Sequence, residues 1–530
     1  MRRYQRASRM LRRAAGVLVI AVGLAASTAA LASPAAISGQ AAGPAAAGIE
    51  RVATGPARTL GEPATAADEA VTGVAATRFG ATGPLAAVWT KAADGMTWRQ
   101  AGSVLPAGFG SSYDPAAAAA PGGPLLVVAG TAPPGQECIA NGSVAISSVG
   151  SGGTLGAARL VSDQRGTGSF DDRPMVAIGQ HGMVWVAWSQ GPDADACQDI
   201  GTGDRIEVAV SNDAGRTFGS PVAMPADGGH SAFGVRLAPL PGGQVAVSWT
   251  ETTASGGQAV LVSVLDADGR ARAPELALTG DGPPLDLPGA SFYDFPAGDV
   301  AALPDGKLVV AAPFWVSGRS VIKLATGAPG GGWQQTAVSP PGGGDLLLPA
   351  LGVLSAGEVR LLCAVHTRLG DRLGYGWADV AATGRGPKVN STGLTALTPA
   401  PPGPGFFEIG EELELARTQG GLLTAVVVAG QDGAALETAD FRVPPASAAR
   451  PAKADAPTAT PSTEGASGPA VPGTMTARAA NGRPPGSAGT VAWLAGAALC
   501  CAAAVGALLL RRRLAIRPPA RHRPPSHRRR

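Results

Sequence analysis

Seven times along the chain a turn ending in glycine leads into a short, Val-rich apolar run. These runs are Gly83 to Trp89, Gly123 to Val128, Gly182 to Trp188, Gly243 to Trp249, Gly306 to Ala311, Gly357 to Leu362 and Gly421 to Val426. Their starts are spaced by 40, 59, 61, 63, 51 and 64 residues. Runs this short, bounded by Gly and Pro and rich in β-branched residues, are strands rather than helices. Three of them end alike, at Trp89-Thr90, Trp188-Ser189 and Trp249-Thr250. A repeat of 50–60 residues with several strands in each unit suits the blades of a β-propeller. The expected fold is therefore all-β, a propeller of six or seven blades. The number stays open because the first spacing is about 20 residues shorter than its neighbours.

The two ends of the chain read differently. Residues 1–32 combine six arginines, an apolar run from Ala14 to Leu31 and the small-x-small pattern Ala30-Leu31-Ala32. That is the layout of a signal peptide. Thr490 to Leu510 holds no charged residue and is followed by Arg511-Arg512-Arg513. As a helix rising about 1.5 Å per residue it is long enough to span a bilayer. The basic tail 511–530 then faces the cytoplasm. The expectation is a single-pass protein of the cell membrane, with its large domain outside.

Residues 33–68, rich in Ala, Gly and Pro, are expected to lack a core. Residues 445–489, rich in Pro, Ala, Ser and Thr, are expected to form a stalk. The propeller is assigned to residues 69–444. Lys occurs five times against 37 Arg, the usage of a GC-rich bacterial genome, so the sequons at Asn141 and Asn390 carry no weight. The net charge of +3 conceals an acidic exterior. Setting the six N-terminal and nine C-terminal arginines apart leaves −12 for residues 33–510. An acidic domain of this kind excludes nucleic acid as a partner, since that needs a basic face.

One repeat carries a distinct turn. Ser211-Asn-Asp213-Ala-Gly215-Arg-Thr217-Phe218 matches the Asp-box, Ser-x-Asp-x-Gly-x-Thr-Phe. Asp213 is expected to accept turn N–H groups, Gly215 to supply a positive φ, and Phe218 to pack beneath the turn. Weaker copies stand at Asp94 to Trp98, Gly152 to Leu155, Asp266 to Arg270 and Gly331 to Trp333. The Asp266-Ala-Asp268-Gly269 copy lacks the later bidentate Glu of a calcium loop, so it reads as a hairpin turn. No metal or cofactor site is expected.

With Asp172-Arg173-Pro174 and the Gly182 to Ser189 strand upstream, the Asp-box blade resembles the sialidase-like, Asp-box-containing propellers. The resemblance spans about residues 70–444. It implies a structural Asp-box, remote from the active face. It also implies a Tyr nucleophile backed by Glu, an Asp acid/base and three carboxylate-binding arginines. The Phe/Tyr-Arg-Ile-Pro motif of such enzymes is missing, and Arg173-Pro174 is a partial match. Tyr113, Tyr293 and Tyr375 cannot be assigned as nucleophile by motif, so no catalytic residue is named.

The expected function is recognition of a glycan or an extracellular protein. A divergent sialidase-type hydrolase and a structural subunit of a membrane complex are the alternatives. Candidate ligand residues come from three similar openings into repeats, at Tyr113-Asp114-Pro115, Phe170 to Pro174 and Tyr293 to Pro296. If they align, Asp114, Asp172, Arg173 and Asp294 meet at the channel mouth. His230 and His366 read as ordinary histidines. Cys138 and Cys197 fall in matching loops of neighbouring repeats and are expected to pair, whereas Cys363 reads as a buried thiol.

Overall fold

The computed structural model describes residues 35–36, 48–56, 59–93, 95–136, 138–193, 196, 204–225, 231–253, 257–284, 287–288, 290, 296–340, 344–369, 371–395, 413–418, 421–430 and 433–442. The proposed signal peptide, stalk, hydrophobic segment 490–510 and basic tail lie outside them. Among the described residues no helix is long and apolar enough to cross a membrane.

The strands form seven sheets, each built on a four-stranded antiparallel meander. Blade 1 runs through Leu60–Ala67, Val71–Gly80, Gly83–Ala92 and Arg99–Ser103. Blade 2 comprises Ser111–Ala119, Leu125–Ala132, Ser143–Val149 and Arg159–Leu160. Blade 3 comprises Ser169–Ile178, Val184–Pro192, Arg205–Ser211 and Val222–Ala223. Blade 4 comprises Ala232–Leu240, Gln244–Thr252, Gln258–Leu265 and Glu275–Gly280. Blade 5 comprises Asp299–Ala302, Leu308–Val316, Arg319–Gly327 and Trp333–Ser339, with Ala35–Ala36 paired parallel on its outer edge. Blade 6 comprises Asp345–Ser355, Glu358–Thr367, Arg372–Thr383 and Gly386–Leu394. Blade 7 comprises Ala416–Arg417, Gly421–Gly430 and Gly433–Arg442, and takes its outer strand from the N-terminal side, Gly48–Gly55.

The first strand of each blade touches the first strand of the next, and blade 7 returns to blade 1. These inner strands surround the propeller axis. Below, the end at which they begin is called upper and the end at which they finish is called lower.

Seven blades settle the open count, and the short first spacing has a geometric cause. In blades 2 to 7 the glycine-led run is the second strand; in blade 1 it is the third, Gly83–Ala92. The second strand there is Val71–Gly80, whose Ala-rich centre hides it. Trp188 and Trp249 thus occupy equivalent second-strand positions, whereas Trp89 is on a third strand. The structure also corrects the segment 33–68. Gly48–Gly55 and Leu60–Ala67 inside it are strands, and Ala64, Thr65 and Ala66 are buried. Leu60–Ala67 looks disordered by composition because inner strands crowd around the axis and need small side chains, whereas Gly48–Gly55 is an outer strand that buries little of its surface.

Between blades the core is aliphatic and aromatic. Trp185, Trp188 and Trp249 are buried among Val128, Ile146, Val186, Val208 and Val247. Blades 4 and 5 pack through Val260, Val262, Leu308, Val310 and Phe314.

Deleting residues 48–55 should leave Gly433–Arg442 as an unpaired edge and open the ring. At about 1 kcal/mol for each ladder hydrogen bond, the loss is several kcal/mol. A two-state chemical melt of the deletion and the intact chain should show a clearly lower midpoint; an unchanged midpoint would refute closure by this strand.

Candidate functional site

The inner strands of five blades share a bulge. Register slips by one residue between Gly61 and Ala64, Tyr113 and Ala116, Asp172 and Met175, Phe233 and Arg236, and Leu347 and Ala350. At each bulge one residue is left-handed: Glu62 (φ 51°), Asp114 (φ 46°), Arg173 (φ 50°), Gly234 (φ 62°) and Leu348 (φ 48°). Four of these precede proline, at Pro63, Pro115, Pro174 and Pro349. The alignment therefore equates Asp114 with Arg173, and Tyr113 with Asp172. Asp294 lies outside the described residues.

At the upper end these residues form a charged cluster across blades 1 to 3. Arg173 Nη1 donates to Asp172 Oδ2 at 3.1 Å. Glu62 Oε2 accepts from the Asp114 amide at 3.1 Å and from Thr77 Oγ1 at 2.5 Å. Asp171 is fully buried and accepts from Gln190 Nε2 at 2.9 Å and Gln164 Nε2 at 3.1 Å. Its burial raises the carboxyl above the ordinary range. Tyr113 lies against Gly130, where any side chain would strike its ring. Burial, and then the charges of Asp172, Asp114 and Asp171, push its phenol well above the ordinary value. Tyr113 is thus a poor nucleophile. Tyr375 is buried in the blade 6 core, and burial raises its phenol as well.

His366 is not alone. It is buried with Nδ1 3.2 Å from Asp345 Oδ2 and Nε2 3.1 Å from Asp371 Oδ1. Arg368 grips Asp345 with two bonds of 2.7 and 2.8 Å. Burial opposes the Asp345 charge, but the hydrogen bonds of His366, Arg368 and the Ser320 amide hold its carboxyl far below the usual range. This is an internal ion-pair network at the upper end of blade 6. Among the described residues no group of His, Cys, Asp and Glu is arranged to hold a metal. His230 lies outside them.

On the axis is a cavity of about 510 Å³, lined by inner strands of all seven blades. Its wall is mostly Ala, Val, Leu and Met, including Ala118, Val176 and Leu237. Charged groups interrupt it: Asp68 and Glu69 at the lower rim, Arg236, Asp299 and Glu414 deeper, and Arg417 at the lower end of blade 7. Arg236 Nε lies 3.7 Å from Asp299 Oδ1. Asp299 accepts from the Val300 amide at 2.8 Å and from the Leu351 amide at 2.6 Å. Glu414 Oε2 accepts from the Thr65 amide at 3.0 Å, joining blades 7 and 1. Asp114, Asp172 and Arg173 are not among the described lining residues. Sequence reasoning missed Arg236 and Asp299, each a single charge in an apolar stretch, and Glu414, which follows Glu411 and Glu412; a charged residue between Gly298 and Val300 was the one available signal.

The Ser211–Phe218 turn joins the third and outer strands of blade 3, at the lower end. Asp213 accepts from the Thr217 amide at 2.8 Å, from Thr217 Oγ1 at 2.6 Å and from Ser211 Oγ at 2.7 Å. Those bonds, led by the Thr217 hydroxyl, pull its carboxyl far below the ordinary range. Gly215 has φ 78°, and Phe218 packs against the core. The weaker copies in blades 2, 4 and 5, and residues 95–98 of the one in blade 1, occupy the same third-to-outer turn. Cys138 is held in a disulfide, while Cys197 lies outside the described residues. Cys363 is a buried free thiol, pushed up to about 12 by burial.

No protein-family model matches the chain, and a search of the curated proteins returns no match. Solved structures do align with it. A protein of unknown function from Dyadobacter fermentans is 13% identical, with a TM-score of 0.41, covering 64% of this chain and 97% of that one. A Hadza microbial sialidase is 10% identical with a TM-score of 0.40, covering 67% and 74%. A PL25 ulvan lyase bound to a disaccharide repeat is 10% identical with a TM-score of 0.46, covering 73% and 94%. Identities this low and TM-scores below 0.5 leave function to be read from the site.

The depressed Asp213 carboxyl makes a signed prediction. Its folded pKa lies below the unfolded value of about 3.9, so its stabilisation is complete above that value and fades as pH falls through the folded one. Asp213→Ala should therefore lower the melting temperature at neutral pH, with the gap to the parent closing below about pH 4. A gap constant with pH would show that the carboxylate charge plays no part in the turn.

Proposed function

We propose that this chain is a non-catalytic recognition propeller, displayed at the cell surface by its hydrophobic segment 490–510, that binds a glycan or an extracellular protein. The observation that carries this reading is the axial cavity, a concave and mostly apolar space with a few fixed charged groups, as binding sites are built. It lies where all seven blades converge, so a bound group contacts the whole ring.

Hydrolysis is disfavoured by the same residues. A glycosidase needs one carboxyl able to give a proton and a second to attack or activate water. Asp299 accepts two backbone amides, which favours its ionised form. Tyr113 and Tyr375 have raised phenol pKa values. Arg173 is engaged by Asp172 and Arg236 by Asp299, so neither guanidinium is a ready clamp for an acidic sugar. The Ser211–Phe218 turn reads as an Asp-box and supports kinship with the sialidase-like propellers in architecture, without their chemistry. Cys138 and Cys197 are proposed to pair across the upper loops of blades 2 and 3.

The purified chain should bind at least one member of a combined glycan and peptide array. It should leave a fluorogenic sialoside intact from about pH 4 to 8, the range that brackets carboxylate general acids. Clear turnover that is lost in Tyr113→Phe or Tyr375→Phe would replace this reading with a divergent sialidase.

A further inference from the structure

We propose that the outer edge of blade 5 is a strand-docking site, and that this chain's own N-terminal segment around Ala35–Ala36 occupies it and closes it against a second copy of the chain.

A sheet edge offers unpaired N–H and C=O groups to any extended chain. Folded proteins blunt such an edge by keeping it short, by bulging it, or by placing charge or proline on it. Among the described residues six blades do so. The outer strands of blades 2 and 3, Arg159–Leu160 and Val222–Ala223, are two residues long. Those of blades 1, 4, 6 and 7 each slip register against the strand beside them. The same four carry charge, at Arg99, at Glu275, at Lys388, and at Glu50 with Arg51. Blade 6 adds Pro387. Blade 5 has none of these devices. Its outer strand, Trp333–Ser339, reads Trp-Gln-Gln-Thr-Ala-Val-Ser, without a charge or a proline. From Trp333 to Val338 it pairs with Arg319–Gly327 without a slip.

A fifth strand lies on that edge. Ala35 and Ala36 run parallel to it, opposite Val338 and Ser339. Among the described residues no other sheet holds more than four strands. The unguarded edge and the added strand are separate observations, and they fall on the same blade. Strand addition takes its affinity from main-chain hydrogen bonds, so two alanines serve without a side-chain pocket. Connectivity selects the occupant. Eleven residues, 37–47, join Ala36 to Gly48–Gly55 in blade 7. A tether that short sets an effective concentration on the order of millimolar, above that of segments from other copies in dilute solution. Once the segment leaves, the matching partner for the edge is the same edge of a second copy. Two Trp333–Ser339 strands related by a two-fold axis can pair antiparallel and form a closed dimer.

The test is a disulfide trap in the full chain. Ala36→Cys and Ser339→Cys stand opposite each other in the register. Under mild oxidation they should join within one chain, read as a linked peptide pair by mass spectrometry and as an undimerised band on a non-reducing gel. Absence of that link, or a link between two chains, overturns the proposal. Ala35→Pro combined with Ala36→Pro removes the main-chain donors of the segment and touches none of the four-stranded meanders; a thermal melt confirms that the variant is folded. Its mass by light scattering should rise about twofold over the parent's, as a closed dimer requires. Adding Gln334→Lys places a charge on the bared edge and should restore the parent's mass. A folded proline variant with the parent's mass, or a dimer that Gln334→Lys leaves intact, shows that the segment does not guard this edge and overturns the proposal too.

Discussion

The molecule depends on one pairing between distant ends of the propeller sequence. Gly48–Gly55 lies antiparallel to Gly433–Arg442 and completes blade 7. A ring of blades has no intrinsic end, so each blade is stabilised by two neighbours only if the last is tied to the first. The outer strand does this covalently through the chain that continues into blade 1. Arg51 and Glu437, 386 residues apart, reinforce it with a side-chain pair at 3.1 Å, although an exposed pair adds little energy. The decisive contribution is the ladder itself, which also removes a long open edge.

Closure creates a second constraint at the axis. Seven inner strands converge there, and space is short. Ala64, Ala66, Ala116 and Ala177 answer that crowding with small side chains. The bulges answer it with backbone. A non-glycine residue in the left-handed region costs about 1–3 kcal/mol, yet Glu62, Asp114, Arg173 and Leu348 all adopt it. The following proline explains why the bulge leaves no stranded donor: it has no N–H to lose. Three of these four strained positions bear charges on neighbouring blades, which is how the upper end acquires its charged cluster.

These two constraints decide what could be read from the sequence. Second strands in blades 2 to 7 are buried on both faces, so they are long in Val and Leu and announced by a glycine turn. Inner strands near the axis are short of large residues, and an alanine-rich strand is indistinguishable from a disordered tract by composition. That is why residues 60–67 read as lying outside the propeller, and why the Ala-rich Val71–Gly80 hides and Gly83–Ala92 aligns one strand out of step. Asp114 and Arg173 are legible because a proline follows the left-handed residue in four of the five bulges. Asp172 was grouped with Asp114 when it is equivalent to Tyr113, because periodicity alone does not reveal a one-residue slip. Asp213 was legible for the opposite reason: its turn is local, and every hydrogen bond it makes is within four residues.

The distribution of buried charge separates the framework from the site. In blade 6, Arg360 meets both oxygens of Asp379 at 2.7 and 2.9 Å, and Asp345 is held by Arg368, His366 and a backbone amide. Such networks neutralise each carboxylate with a cation, and breaking one would strand a charge in a poor solvent. The axial acids are satisfied differently. Asp68 accepts the amides of Ala70 and Val71, Glu414 the amide of Thr65, and Asp299 the amides of Val300 and Leu351. Asp299 also meets Arg236 at 3.7 Å, so there a guanidinium adds to the backbone donors. The blade 6 acids are thus held mainly by side-chain cations, whereas the acids around the axis are oriented first by backbone amides of their own and neighbouring strands, which ties their positions to the inner strands themselves.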